Sequence, residues 1–423
     1  MDHLYNPLKL SVYRSLFRDK SVLILGGGAV GSHEAEYAVK MGFGRVDILD
    51  FDTFTLENAA KHSALVRTPE DVGRNKAQCV SDRLLPLLDE GGATNGIDAD
   101  LCLIGPEAVA AYDFAVLCLD NFAAKMLFNE LWLQIPRERR PIVIMDGTHD
   151  EMAQSVMLDG EEFCLRCLVD ESWLEASAVR TSCSGPQVRR IDGEDAIVRT
   201  SNLASSLAAI LSAEQLRAAV LGAPDAMNRR LTYTAYPHLE LSAAHPMKKR
   251  GCPGCSIEPP HDIRFLPGSV LDVTLGEAFR AIAAALGTKA FELAVHRLSY
   301  KNIVYSGYIA EAVCPSCGKP VAVKKHEGRA FHSDLFCGEC RAAKRPPQER
   351  TAHEEGRVLR AFTPGACGEL LGETLFSLGY PLGAHLEVIE RNGALDFLDE
   401  GKIRTTVFAF EGDAEKMHTV RSL

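Results

Sequence analysis

The sequence predicts an α/β protein: a Rossmann-like, mostly parallel sheet with helices on both faces, followed by a C-terminal α+β module that contains a zinc ribbon. Three observations predict it. An apolar run, Ser21-Val-Leu-Ile-Leu25, leads into glycines at 26, 27, 28 and 31 and then into a segment of helical spacing. Short strand-like runs then alternate with helical stretches as far as Met145, the pattern of parallel strands joined by crossover helices. Eight of the thirteen cysteines fall into four CxxC pairs, at 164/167, 252/255, 314/317 and 337/340.

A chain of 423 residues with 46% apolar content has room for two or three domains with sizeable cores. Its formal charge of −11, with the signs interspersed, argues against general nucleic-acid binding, which needs a basic face. No apolar run approaches the ~18 residues of a membrane span, and no basic region leads into an apolar segment at the N-terminus. The expected location is therefore the cytoplasm, with no membrane partner. In a reducing compartment, CxxC pairs are metal knuckles more often than disulfides.

Residues 1–20 read as a short helical lead-in. After the first strand, Gly26, Gly28 and Gly31 form a turn at which backbone N–H groups and a helix dipole can face a phosphate. A helix is expected over His33 to Met41, and Arg45-Val-Asp-Ile-Leu-Asp50 restores strand character. Asp50 then stands where nucleotide-binding folds place the carboxylate that accepts from a ribose hydroxyl. Gly73 to Leu88 and Phe122 to Ile135 have helical periodicity, while Ala115 to Leu119 and Pro141 to Met145 read as buried strands. Ligands of such folds sit at the carboxyl ends of the strands, and Asp50 and Asp120 each lie just past one.

Between Cys164 and Cys255 the pattern breaks into a loop-rich stretch to Arg190 and a small-residue helix over Leu203 to Leu211. From about Pro259 the character changes again, with a helical segment at Leu275 to Leu286, β-rich Ile303 to Ala312 and the paired CxxC motifs of 314–340. Arg341 to Arg357 is polar and reads as a linker or exposed loop. Three segments follow: 1–258, 259–345 with the ribbon, and a mixed α/β segment at 346–423, a candidate partner-recruiting or dimerisation region.

Specific chemistry is carried by motifs in order: GGGAVG at 26–31, LDFDTFTLEN at 49–58, GRNKAQ at 73–78, LDN at 119–121, Cys164-Leu-Arg-Cys167, TSCSG at 181–185 and Cys252-Pro-Gly-Cys255. With these, the first 257 residues resemble the activating enzymes of ubiquitin-like proteins in their simpler ThiF/MoeB/HesA form. The resemblance implies that ATP activates the C-terminal glycine of a small partner as an acyl-adenylate, releasing pyrophosphate. Gly26, Gly28 and Gly31 would shape the phosphate turn, Asp50 would hold the ribose, and Asp52 would be a second carboxylate nearby. Asn58 and Lys61 would face the triphosphate. Lys61 and Lys125 stand where the family usually has arginine, keeping the charge and losing the planar fork. Lys76 would neutralise phosphate charge as the carboxylate attacks. Asp120, with Asn121 beside it, would position Mg²⁺. Without the surrounding motifs, Lys76 would read as a solvated helix residue and Asp120 as a helix cap.

Cys183 stands where related activating enzymes carry the cysteine that takes the partner as a thioester. The alternative is an inert loop cysteine. Cys367, in Gly365-Ala-Cys-Gly368, is the one competing nucleophile, while Cys79, Cys102 and Cys118 lie in apolar contexts. Cys164, Cys167, Cys252 and Cys255 match the family's structural zinc site; Cys314, Cys317, Cys337 and Cys340 have the spacing of an independent ribbon, so two zinc ions are expected. The implied partners are a ubiquitin-like protein ending in glycine, a conjugating enzyme, and a second copy in a homodimer. The added module favours conjugation, as in bacterial ubiquitin-like conjugation systems, over sulfur-carrier activation. A non-catalytic scaffold remains open. An NAD-dependent oxidoreductase is disfavoured, because Asn58, Lys76 and Asp120 have no role in one.

Overall fold

The structure is a computed structural model. It describes residues 14–58, 62–63, 70–120, 122–149, 152–160, 163–168, 187–191, 194–198, 201–223, 225–235, 238–249, 252, 254–255, 263–295, 307–327, 330, 332–343, 356–365, 367–390, 404–413 and 416. The chain divides into two compact units, one of residues 1–168 and 182–255 and one of residues 169–181 and 256–422.

In the first unit, β1 (Ser21–Leu25), β2 (Arg45–Leu49), β3 (Ala93–Ile97), β4 (Phe114–Leu117) and β5 (Ile142–His149) run parallel in the order β3-β2-β1-β4-β5. β6 (Met152–Leu158) turns back antiparallel on β5. A separate hairpin is formed by β7 (Gln187–Ile191) and β8 (Glu194–Val198). β9 (Arg229–Thr234) and β10 (Glu240–Ala244) then extend the large sheet beyond β6, again antiparallel. The sheet is thus parallel over five strands and antiparallel over three. Helices α1 (Ala29–Met41), α2 (Lys76–Leu84), α3 (Phe122–Gln134) and α4 (Asn202–Val220) accompany it.

The sequence explains the burial of the central strands. Val22, Ile24, Leu25, Ala115, Val116 and Leu117 are all 0% exposed, as continuous apolar runs require when both faces of a parallel sheet are covered. α1 buries Ala35, Ala38 and Val39 and stops at Gly42, whose φ of +97° is the left-handed conformation that glycine tolerates at a helix end. Connections leave β1 and β4 in opposite directions along the sheet, which opens a crevice at the carboxyl ends of these neighbouring strands. Residues 1–13 of the expected lead-in lie outside the described residues.

The second unit contains β11 (Ile263–Leu266), α5 (Leu275–Leu286), β12 (Phe291–Ala294), β13 (Tyr308–Val313), β14 (Pro320–His326), α6 (Gly338–Ala342), β15 (Arg357–Leu359), β16 (Ala361–Phe362), β17 (Leu386–Glu390) and β18 (Arg404–Phe410). One sheet has the order β11-β18-β17-β12-β16 and the other the order β14-β13-β15. Segments 259–345 and 346–423 therefore supply strands to the same sheets. α5 begins at a capping box, Thr274 with Glu277, and packs Leu275, Ile282 and Phe279 against Leu293, Phe362, Tyr380 and Phe408. At Gly379 (φ +106°) a Cβ would stand 2.5 Å from the His326 ring, so a glycine is needed where the ribbon strand meets this core. Cys367 lies inside the same core at 2% exposure, and burial pushes its thiol up. The expectation of Cys367 as a competing nucleophile is thereby corrected: a thiol held neutral in an apolar core is inert. Among the described residues, no helix is long and apolar enough to cross a membrane.

Candidate active site

The glycine turn between β1 and α1 is tightly packed on one side and open on the other. A Cβ on Gly26 (φ +101°) would lie 2.8 Å from the Cys118 carbonyl oxygen, and one on Gly31 would lie 1.8 Å from the Gly26 carbonyl oxygen. Gly28 has nothing within 4 Å of its Cβ position. Two glycines thus let the turn lie flat against the end of β4, and the third leaves room for a ligand to approach the backbone. Gly28 is also the N-cap of α1; no side chain caps it and no acidic residue occupies the first turn. The first N–H groups and the positive end of the helix dipole remain available for an anion, so the turn fits a nucleotide phosphate.

Asp50 is fixed beside this turn. One carboxylate oxygen accepts from the Gly27 N–H and the other from the Asp52 N–H, both at 2.8 Å. Burial pushes its carboxyl up to about 6, against the opposing pull of the Lys76 ammonium and the two backbone donors. Lys76 opens α2: its N–H donates to the Asp52 carbonyl at 2.8 Å and its Nζ pairs with the Asp52 carboxylate at 3.1 Å. The helix start is held by Asn75, whose Oδ1 accepts from the Gln78 N–H at 3.0 Å and whose Nδ2 donates to the Asp50 carbonyl at 2.8 Å. Asn75 therefore ties both acidic residues to the lysine-bearing helix. It was missed as a site residue, although an asparagine directly before a helical segment is a capping signal.

Asn58 closes the short helix Leu56–Asn58, its Oδ1 accepting from the Thr55 N–H and hydroxyl, both at 3.0 Å. This leaves its amide N–H groups as the part suited to a phosphate oxygen. Just beyond, the Ser63 N–H donates to Ser32 Oγ at 3.1 Å and Asn202 Nδ2 donates to the His62 carbonyl at 3.0 Å, fastening this loop to α1 and α4. Asp120 is exposed just past β4, two residues beyond Cys118, the residue that abuts Gly26. Lys125 differs from a phosphate-facing residue: it is buried and donates to the Asp146 carbonyl at 2.9 Å. Lys61, Asn121 and Cys183 lie outside the described residues. The glycine turn, Asp50, Asp52 and Lys76 are linked directly by the bonds above.

Two tetrads of cysteines are assembled. Cys164, Cys167, Cys252 and Cys255 form one, and Cys314, Cys317, Cys337 and Cys340 the other; in each, the four sulfurs lie within 4.8 Å of one another. Sulfur pairs stand 3.7 Å apart for Cys164 and Cys252 and 3.6 Å apart for Cys317 and Cys337. A Cβ on Gly254 would fall 2.7 Å from the Cys164 sulfur, which explains the glycine in that knuckle. Four convergent thiols suit a tetrahedral, closed zinc site, and both sets can bind zinc.

The glycine turn at a switch point, the buried carboxylate beside it and the lysine at the next helix start define a nucleotide-binding α/β protein. The chain matches the ThiF family over residues 9–296, and it belongs to that family. It is 28% identical over 157 residues to molybdopterin-synthase adenylyltransferase of Escherichia coli (strain K12), across 36% of this chain and 59% of that protein. It is 24% identical over 188 residues to SUMO-activating enzyme subunit 2 of Dictyostelium discoideum, across 44% of this chain and 27% of that protein. The chain thus spans less than two thirds of either curated relative. Among solved structures, E. coli MccB with ATP is similar at 17% identity and a TM-score of 0.45, across 58% of this chain and 69% of that one.

Proposed function

We infer that the protein uses ATP to adenylate the C-terminal carboxylate of a ubiquitin-like or sulfur-carrier protein, with release of pyrophosphate. The observation that carries this reading is the placement of Lys76 at the head of α2, bonded through its backbone and side chain to Asp52 and set beside Asp50 and the open glycine turn. The partner's carboxylate oxygen bonds to the α-phosphorus while the bond from that phosphorus to pyrophosphate breaks. Negative charge grows on the transferred and leaving oxygens, and a fixed ammonium stabilises that charge more than it stabilises bound ATP. Asp50 accepts from the ribose, Asn58 and Lys61 face the triphosphate, and Asp120 with Asn121 would hold Mg²⁺. Both zinc sites are structural.

Support for a ubiquitin-like or sulfur-carrier partner comes from the kinds of relative the chain resembles, a molybdopterin-synthase adenylyltransferase and a SUMO-activating subunit. In the fuller form of the reading, the Cys183 thiolate attacks the adenylate carbonyl, AMP departs, and the thioester passes to a conjugating enzyme from a cytoplasmic homodimer. ATP–pyrophosphate exchange, assayed with a set of ubiquitin-like proteins ending in glycine, tests the first step. Exchange that depends on one of them is expected; ATP binding without exchange for any of them would favour a scaffold. Cys183→Ala should retain exchange and lose the thiol-sensitive partner adduct on denaturing gels, whereas an undiminished adduct removes Cys183 as the acceptor.

A pH dependence follows from Asp50. Its folded value of about 6 lies above the ~3.9 of an unfolded aspartate, so the stability held by the neutral form is complete below about pH 4 and lost as pH rises through 6. The ionised form is the ribose acceptor. ATP affinity measured by calorimetry should therefore rise between about pH 5 and 7, and Asp50→Asn should flatten that rise.

A further inference from the structure

Beneath the glycine turn lies a second polar cluster that adenylation does not use. Asp146 of β5 and Ser155 of β6 are direct cross-strand partners, so their side chains share one face of the sheet. Ser212 of α4 and Glu34 of α1 complete the cluster. Glu34, Ser155 and Ser212 are 0% exposed and Asp146 is 3% exposed. Both carboxylate oxygens of Glu34, Oδ1 of Asp146 and the hydroxyl oxygens of Ser155 and Ser212 make no hydrogen bond of ordinary geometry. The two serines nevertheless stand near enough to Asp146 to draw its carboxyl downward, and Ser212 acts on Glu34 in the same way.

Five buried oxygens that make no hydrogen bond of ordinary geometry are costly, since an unsatisfied buried polar group loses on the order of 1–3 kcal/mol, and the two serine hydroxyls can offer only one proton each to the carboxylates. The surrounding groups supply little. Cys118 Sγ is 3.8 Å from Asp146 Oδ2, a weak donor, and the Lys125 ammonium donates to the Asp146 backbone carbonyl. With no cation present, burial favours a proton on Glu34; with both carboxylates ionised, the one lysine beside them would leave a single negative charge, which one monovalent ion balances. A divalent ion would overshoot this balance, and a water molecule would leave it unchanged.

We propose that Glu34, Asp146, Ser155 and Ser212 form a buried oxygen-lined site for one monovalent cation, Na⁺ or K⁺, that ties α1 and α4 to β5 and β6. The ligand chemistry is that of a hard ion: carboxylate and hydroxyl oxygens from four different elements. A cation and a proton compete for these oxygens, because burial and the Asp146 charge push the Glu34 carboxyl well up and burial pushes Asp146 up to about 7. Among the described residues, Cys118 and Lys125 face the pair and Tyr37 lies within electrostatic reach of Glu34; Lys125 supplies one positive charge, and neither Cys118 nor Tyr37 supplies a second.

The test is thermal unfolding of the full chain in NaCl, KCl or tetramethylammonium chloride at equal ionic strength. Na⁺ or K⁺ should raise Tm saturably, by an amount on the order of 5 °C, and by more at pH 8 than at pH 6. Glu34→Gln should abolish the cation-specific shift, as should the milder Ser212→Ala if the first variant fails to fold. Equal Tm in the three salts would overturn the proposal in favour of a proton shared by the two acids. A shift that survives Ser212→Ala and Glu34→Gln would place the cation elsewhere and overturn it as well.

Discussion

Replacing Lys76 by alanine is expected to lower partner-dependent ATP–pyrophosphate exchange on the order of 10²–10³-fold, the cost of losing one preorganised charge stabiliser. The helix that carries it does not depend on the side chain. Asn75 caps α2, and the Lys76 backbone N–H bonds to the Asp52 carbonyl in either variant. The ion pair lost with Asp52 is half exposed on the acidic side, so its contribution to stability is at most about 1 kcal/mol. Tm should therefore shift little while exchange collapses, and Lys76→Arg should recover part of the rate. Exchange within threefold of the unmodified protein would remove Lys76 from the reaction.

The second large effect is on stability. Inductively coupled plasma mass spectrometry should find two zinc ions per chain, and Cys252→Ser should leave one and lower Tm on the order of 10 °C or more. Cys164 and Cys252 are both 0% exposed, and their tetrad joins two knuckles from distant parts of the first unit. An opened site there leaves thiolates buried without their metal. The ribbon provides a contrast, because Cys317 is exposed; Cys317→Ser should also remove one zinc, with a smaller loss in Tm. A single zinc in the unmodified protein would mean that one tetrad does not hold metal.

The parts of the fold legible in the sequence are those whose reasons are local. Gly26 to Gly31 is read from its neighbours along the chain, because a turn that must press against a strand end admits no Cβ. α5 is announced by Thr274 and Glu277 at its start and Gly287 at its end. β3, Ala-Thr-Asn-Gly-Ile, passes unread because it carries little apolar or β-branched character at a sheet edge, and its place is set by pairing with β2. Lys125 stands at an arginine position of the resemblance yet faces inward, since what decides its direction is the Asp146 carbonyl of another strand. Glu34 and Asp146 likewise show nothing along the chain; only the packing of α1 and α4 on the sheet brings them together.

The parallel pairing of β11 with β18 sets an order of events for the second unit. Ile263 is registered against Val407, and β12, β17 and β16 fill the sheet beside them. During synthesis β11 must wait as an unpaired edge until β18 has left the ribosome, a non-local closure that is intrinsically slow. Both zinc tetrads lie earlier in the chain than β18. Metal loading can thus precede closure of this sheet, and a fragment ending at residue 345 would display β11 and β12 with their partners missing, an invitation to aggregation rather than a smaller functional protein.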